Sequence, residues 1–319
     1  MSDKVLGMDK DRVNDLLKRY GMVLILILMV IIMSAVKPVF IKSANIINIF
    51  KQVAVIGTLA YGVTLIIITG GIDLSSGSVV ALVGVVTASL AGPTGNIFIA
   101  MAVGLLVGAA CGGVNGFILA KTGIPPFIVT LGMMTVARGL ALTYSGGRPI
   151  SDIAESFLYV GTGKIGLMPV PVLIFLLMGL MTHIILRKTP FGKKIYAIGG
   201  NEQAARVCGI NVKKSIIIIY TYAGLMSAVG GIILTARVSS GNPTAGLSYE
   251  LDAIASAVIG GTSLTGGVGF ISGTIIGALI IGVLNNGLTL IGVSPYLQQI
   301  VKGVIIVGAV VLDAYRNKR

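Results

Sequence analysis

Residues 74–120, LSSGSVVALVGVVTASLAGPTGNIFIAMAVGLLVGAACGGVNGFILA, carry no charged side chain. A helix needs about 20 apolar residues to cross about 30 Å of hydrocarbon, so this one run is long enough for two crossings. A break lies in its middle, where Gly92-Pro93-Thr94-Gly95-Asn96 is small, polar and helix-breaking. Reading outward, charge-free runs recur at 20–36, 52–72, 122–137, 165–186, 215–236, 253–301 and 303–312. The run at 253–301 again holds two crossings. A membrane barrel would alternate apolar and polar residues over about ten positions, and these runs do not alternate. With 55% hydrophobic and 11% charged residues and no Trp, the chain cannot cover a soluble surface. The fold expected is all-α, a polytopic helical bundle in a membrane.

Ten spans are expected, near 20–36, 52–69, 78–91, 97–120, 127–144, 170–186, 215–235, 251–260, 270–290 and 296–312, the eighth being the shortest. The distribution of charge sets their direction. If both termini are cytoplasmic, the inner segments 1–19, 187–214 and 313–319, with the turn at Lys121, hold most of the Lys and Arg. Outside remain only Lys37, Lys42, Lys51, Arg148, Lys164 and Arg237. That asymmetry is the positive-inside bias and requires an even number of spans. The net charge of +13 is thus read as cytoplasmic loops facing anionic lipid, not as a nucleic-acid surface. The basic amino-terminal stretch precedes a full-length span without a small-x-small cleavage site, so no cleaved signal peptide is expected. Cys111 lies in an apolar run and Cys208 in a basic loop, and no disulfide between them is expected.

Glycine is spaced for packing. Gly104, Gly108, Gly112 and Gly116 recur every fourth residue and so line one helix face, where a neighbouring helix can approach closely. Gly273 and Gly277 repeat the device.

Three segments interrupt the apolar pattern. GGIDLSSGS at 70–78 reads as a broken helix, tolerated at membrane depth only where it lines a cavity or is buried in protein. Asp73 is the only acid between Asp15 and Asp152; an intramembrane acid is a functional candidate, and Asp73 or Ser75 can equally cap the next helix. VIGGTSLTGGVG at 258–269 echoes the first segment as Gly-Gly-x-x-Leu-Ser/Thr-x-Gly, either as a repeat placed on a pathway or by chance in a glycine-rich chain. With six spans between them, true repeats would be parallel rather than inverted. The third is the basic loop 187–214. There Asn201 suits an N-cap, Glu202 the positive helix start and Gly209 the C′ position. This is a short ordered helix, either protruding toward a partner or resting on lipid. Amides inside apolar spans, Asn115, Asn285 and Asn286, can face a pathway or hold neighbouring helices together.

The blocks GGIDLSSGS, YAIGGNEQAARVCGINV (196–212), YELDAIASAVIGGTSLTGG (249–267) and GVLNNGLTLIGVSPYLQQIVKG (282–303) resemble the ribose-type permeases of bacterial ABC sugar importers, over about 45–313. Ser76 stands where relatives often have Val. Ala204-Ala205-x-x-x-Gly209 resembles the core of the coupling-helix motif in importer permeases. The resemblance implies a bacterial inner-membrane protein with residues 20–312 as the permease domain, flanked by the cytoplasmic segments 1–19 and 313–319. It implies two permease copies around a pathway, a cytoplasmic ATP-binding-cassette ATPase docked on each coupling helix, and a periplasmic or lipid-anchored sugar-binding protein outside. Asn201, Glu202, Ala204, Ala205 and Gly209 are then the ATPase-coupling residues, and Asp73, Ser75, Asn115, Asn285 and Asn286 the pathway candidates. Arg148, Asp152, Glu155 and Glu250 are candidates for binding-protein docking.

The chain has no GxxxxGK[ST] phosphate loop; Gly161-Thr162-Gly163-Lys164 is too short. No catalytic residue, metal or cofactor is expected on this chain, and ATP with Mg²⁺ belongs to the partner ATPase. An ion-coupled secondary sugar transporter is the alternative, but it would need intramembrane carboxylates or His, and Asp73 stands nearly alone. An intramembrane serine protease is disfavoured, since Ser248 in Gly246-Leu247-Ser248 and the single His183 do not make a dyad.

Overall fold

A computed structural model describes residues 10–316, so residues 1–9 and 317–319 of the two expected terminal segments lie outside it. The described residues form thirteen α-helices: α1 (Lys10–Val36), α2 (Ser43–Ile68), α3 (Ser76–Leu90), α4 (Ile97–Thr122), α5 (Pro126–Ser145), α6 (Glu155–Thr162), α7 (Val170–Lys188), α8 (Pro190–Gly200), α9 (Glu202–Val207), α10 (Val212–Val238), α11 (Tyr249–Ile259), α12 (Ile271–Leu290) and α13 (Pro295–Arg316). A 3₁₀ turn (Pro38–Ile41) and a two-residue hairpin, β1 (Lys164–Ile165) with β2 (Met168–Pro169), are the only other regular pieces among these residues.

Each of the ten expected spans falls on a helix. Six helices, α2, α4, α5, α7, α10 and α12, are long and apolar enough to cross a membrane. The apolar part of α1, Gly21–Val36, and α3 are shorter, and α11 has 11 residues. Helix α2 starts at Ser43, nine residues before the charge-free run at 52, because Lys51 interrupts an apolar run without interrupting a helix. Helix α1 likewise extends back through the basic residues to Lys10.

The boundaries follow local chemistry. The Asn96 side chain accepts from the Phe98 and Ile99 amides to open α4, and Gly123, in the left-handed region at φ 67°, closes it. Helix α5 opens on Pro126, where the missing N–H costs nothing. Asn211 caps α10 by accepting from the Lys214 amide.

The bundle is organised around α2 and α10. Every residue of α2 from 53 to 68 is buried, the pattern of a helix surrounded by protein. Tyr61 on α2 stacks on Phe175 of α7, ring centroids 5.2 Å apart. The glycine face of α4 lies against α10. A Cβ at Gly112 would strike the Tyr220 carbonyl, and one at Gly108 would lie 2.6 Å from the Ala228 Cβ. Gly273 and Gly277 do the same against Gly260 and Ser256 beside α11. Backbone contact this close gathers the dispersion energy that holds helices together without a hydrophobic drive. The opposite faces carry exposed large apolar groups, Phe98, Leu106, Phe127 and Leu140 among them, a surface suited to lipid or a second membrane chain.

Helix α10 has 27 residues, roughly 40 Å at 1.5 Å per residue, so its two ends lie at opposite ends of the bundle. Helices α8 and α9 sit at its start. Helix α6 sits at its finish, where Gly161 packs on the backbone of Ala236 and Arg237.

Candidate functional site

The basic loop builds two helices. The Thr189 side chain accepts from the Gly192 amide, and Pro190 takes the first helical position, opening α8. Asn201 then ends α8 and caps α9, accepting from the Ala204 amide at 2.9 Å. Glu202 and Arg206 pair one turn apart on the outer side of α9. Gly209 at φ +80° reverses the chain, and the Ile210 amide returns to the Ala205 carbonyl. Ala205 is turned inward against Ile198 and Val212. Asn201, Glu202, Ala204 and Gly209 are exposed, and Val207 is 89% exposed, an apolar knob with no cover from its own chain.

Helix α8 runs from this surface into the bundle. Its Gly199 lies against the Ile68 carbonyl, and a Cβ there would stand 2.6 Å from the Gly267 amide. That amide itself donates to the Ile68 carbonyl at 2.8 Å. The Tyr196 hydroxyl donates to the Gly269 carbonyl at 2.7 Å. The two echoing glycine segments, 70–78 and 258–269, meet at the α9 end, where Gly266 faces the Gly70 amide, and α8 is wedged between the second segment and Ile68 at the end of α2. Left-handed backbone at Gly70, Gly261, Gly266 and Gly267 makes the crossing possible.

The first segment folds around its acid. Asp73, 3% exposed, accepts through Oδ1 from the Ser75 amide at 2.8 Å and from the Ser75 hydroxyl at 2.6 Å. Asn115 of α4 donates to the same hydroxyl at 3.1 Å. Three of the five pathway candidates thus form one chain of hydrogen bonds, Asn115 to Ser75 to Asp73. Beside it lies a cleft of about 450 Å³ between the ends of α2 and α4 and the starts of α9 and α10, with Gly70, Gly71, Leu119, Glu202, Arg206 and Tyr220 in its wall.

The remaining candidates stand elsewhere. Asn286 exchanges two amide bonds with Asn45, each 2.9 Å, and so ties α12 to the first turn of α2. Asn285, one residue away and on another face, reaches Asp252 of α11 at 3.4 Å near the α6 end. Arg148, Asp152 and Glu155 are exposed at that end. Glu250 is only half-exposed and lies close to Gly77 of α3. Arg138 holds the neighbouring loop, donating to the Pro243 and Ala245 carbonyls at 2.6 and 2.8 Å. Among the described residues no cluster of His, Cys, Asp or Glu is arranged to hold a metal.

Residues 45–310 match the family described as "Branched-chain amino acid transport system / permease component". The chain belongs to this permease family. It is 47% identical to the ribose import permease protein RbsC of Haemophilus influenzae over 91% of each chain. To the RbsC of Bacillus subtilis it is 45% identical over 99% of this chain and 100% of that one. The L-arabinose transport system permease protein AraH of Escherichia coli is 38% identical over 94% and 92%. No solved structure matches. The protein is a multi-pass permease of the bacterial inner-membrane type, a transport component rather than an enzyme.

In this permease the feature that sequence reasoning passed over is α8. Its signal was present in Thr189-Pro190, a capping residue followed by a proline at the first helical position. Tyr196 and Gly199 had no such signal, because their partners are backbone atoms of segments far along the chain.

Proposed function

We propose that this permease is the membrane subunit of an ATP-driven importer of a monosaccharide, with ribose the first candidate. Its family description is broader, but the relatives that match nearly the whole chain are named for ribose, arabinose and allose. In this reading the chain makes ten spans with both termini in the cytoplasm, and the α9 end faces inward. A cytoplasmic ATPase, carrying ATP and Mg²⁺, docks on α9. A second permease copy completes the pathway through the apolar outer faces, and an extracytoplasmic binding protein delivers sugar near Arg148, Asp152 and Glu155.

The observation that carries the proposal is the path from α9 to the glycine segments. A capped, exposed helix bears Val207 outward, and the adjoining α8 is wedged between the end of α2 at Ile68 and the non-helical stretch at 267–269. Displacing α9 moves α8, and α8 cannot move without shifting the Ile68–Gly267 contact. That is a mechanical link from a docking surface to the interior. The buried Asp73–Ser75–Asn115 chain shapes the wall behind the inner cleft, and that cleft holds sugar only weakly, as release requires. A secondary carrier would need a carboxylate free to exchange an ion, whereas Asp73 Oδ1 is held by two bonds from Ser75 and Asp252 is paired with Lys302.

The test is reconstitution of the permease with its co-purifying ATPase and binding protein in proteoliposomes. Uptake of labelled ribose that requires ATP supports the proposal. Uptake by the permease alone, driven by a proton or sodium gradient, would replace it with the secondary carrier.

A further inference from the structure

The structure assigns a second polar pocket, at the α6 end, to the binding of a neutral polyhydroxylated ligand. This rests on the importer reading, and makes the pocket an outer sugar subsite. Its volume is about 230 Å³, smaller than the ~300–1,000 Å³ of drug-sized sites and several times the ~30 Å³ of one water. The scale is that of a single sugar ring. Helices α2, α10, α11, α12 and α13 contribute Gln52, Arg237, Asp252, Asn285, Gln298 and Lys302 to its wall.

The hydrogen bonding in this pocket is one-sided. Lys302 pairs with Asp252 Oδ2 at 2.9 Å, and Asn285 donates to the same oxygen at 3.4 Å. Asp252, 1% exposed, keeps its other oxygen, Oδ1, buried and without a partner, and so does Asn285 with its own Oδ1. A buried acceptor left unpaired costs about 1–3 kcal/mol and more when charged, so both oxygens gain from a donor that reaches them, while Gln52, Tyr249, Thr289 and Gln298 in the same wall offer further uncharged donors and acceptors. The charges narrow the ligand further. Lys302 already neutralises Asp252, and Arg237 has no ion-pair partner among the described residues, so the wall is net positive and disfavours a cation. Two free acceptors, one of them on a carboxylate, disfavour an anion. A molecule rich in hydroxyls and without charge satisfies both conditions, donating to Asp252 and Asn285 while accepting from Arg237 or Lys302. Asp252 and Lys302 then act as a fixed pair that orients hydroxyls, in a pocket that shares no wall residue with the cleft beside the Asp73 chain.

The test uses the full-length permease with Cys111→Ser and Cys208→Ser, carrying Thr289→Cys in the exposed part of the pocket wall, and a membrane-impermeant maleimide. D-ribose, L-arabinose and D-allose are each added in excess, with glycine as the charged control. The expected result is that at least one sugar slows alkylation at position 289 by about threefold or more when it fills a weak, ~1 mM site, while glycine does not. Equal rates with and without every sugar would overturn the subsite, as would equal slowing by glycine, which marks general crowding. Absence of labelling would overturn it too, since the pocket would then be closed to water. In the reconstituted assembly, Gln298→Leu and Asn285→Leu are expected to lower the sugar moved per ATP hydrolysed. A loss of both activities in proportion would mark them as structural. ATP-independent uptake would sink the importer reading and leave the labelling result standing as a judgement on the pocket alone.

Discussion

The Tyr196 hydroxyl donates to the Gly269 carbonyl at 2.7 Å, joining a helix of the basic loop to a residue 73 positions later in the chain. The same helix presses Gly199 against the Ile68 carbonyl. One element thus touches the end of α2, just before the first interruption of the transmembrane pattern, and the second interruption itself, so a force on α9 reaches both places through it.

Tyr196→Phe removes this bond and nothing else. Its expected cost is about 0.5–1.5 kcal/mol of stability, and its functional signature is a fall in sugar moved per ATP hydrolysed while ATP hydrolysis continues. Burial raises the Tyr196 phenol above its ordinary value, with Arg187 opposing weakly. The donor form, and the stability it carries, is therefore present at neutral pH and is lost only as pH rises through that raised value. Wild-type coupling should be flat across neutral pH as far as this bond is concerned. An unchanged sugar-to-ATP ratio in the Phe variant would show that the bond plays no part in transmission.

Val207 and Ala205 separate docking from folding. Val207→Glu places a charge on an 89% exposed position, so the thermal midpoint of the detergent-solubilised permease should shift little while ATPase co-purification falls by about tenfold or more, a 1.4 kcal/mol effect. Ala205→Glu buries a charge beside Ile198 and Val212 and should lower the midpoint itself. If Val207→Glu retains the ATPase, α9 is not the docking surface.

The transmembrane runs, their breaks and the glycine faces were legible because each rests on local chemistry: a charge-free length, a Gly92-Pro93 turn, a repeat every fourth residue. The α9 caps were legible for the same reason. What escaped was set by pairing across the chain. Asn285 and Asn286 are adjacent and alike in sequence, yet one ties α12 to Asn45 and the other faces a pocket with Asp252. Asp252 and Lys302 stand fifty residues apart, and only the fold brings them to 2.9 Å. Helix α8 was hidden by its glycines, Gly192, Gly199 and Gly200, which lower helix propensity but two of which admit close approach to other backbone.

The Asn45–Asn286 pair tests the role of an amide inside the membrane. Each side chain donates once and accepts once across the helices, so removing Asn45 strands Asn286, 5% exposed, and removing Asn286 leaves Asn45 only its bond to the Phe40 carbonyl. Asn286→Ala and Asn45→Ala should each destabilise by about 1–3 kcal/mol. The double variant should cost clearly less than the sum, by about 0.5 kcal/mol or more. Strict additivity in denaturant melts of the reconstituted permease would mean that the pair contributes nothing as a pair.

Asp73 distinguishes a structural acid from an ion-coupling one. Its Oδ1 accepts from both the amide and the hydroxyl of Ser75, a task the Oδ1 of asparagine also performs. If the acid's work is to shape 70–75 and keep Ser75 aimed at Asn115, Asp73→Asn should keep about half or more of ATP-driven uptake. Asp73→Ala, which orphans a buried amide and hydroxyl, should lose about tenfold, equivalent to 1.4 kcal/mol of transition-state or folding stability. An ion-coupled mechanism makes the opposite demand, because asparagine cannot take up or release a proton. Loss of uptake in Asp73→Asn with the thermal midpoint unchanged, together with a pH-dependent rate in the wild type, would therefore overturn the structural role and restore the secondary carrier. Retained uptake in the Asn variant and collapse of both uptake and midpoint in the Ala variant is the outcome the geometry requires.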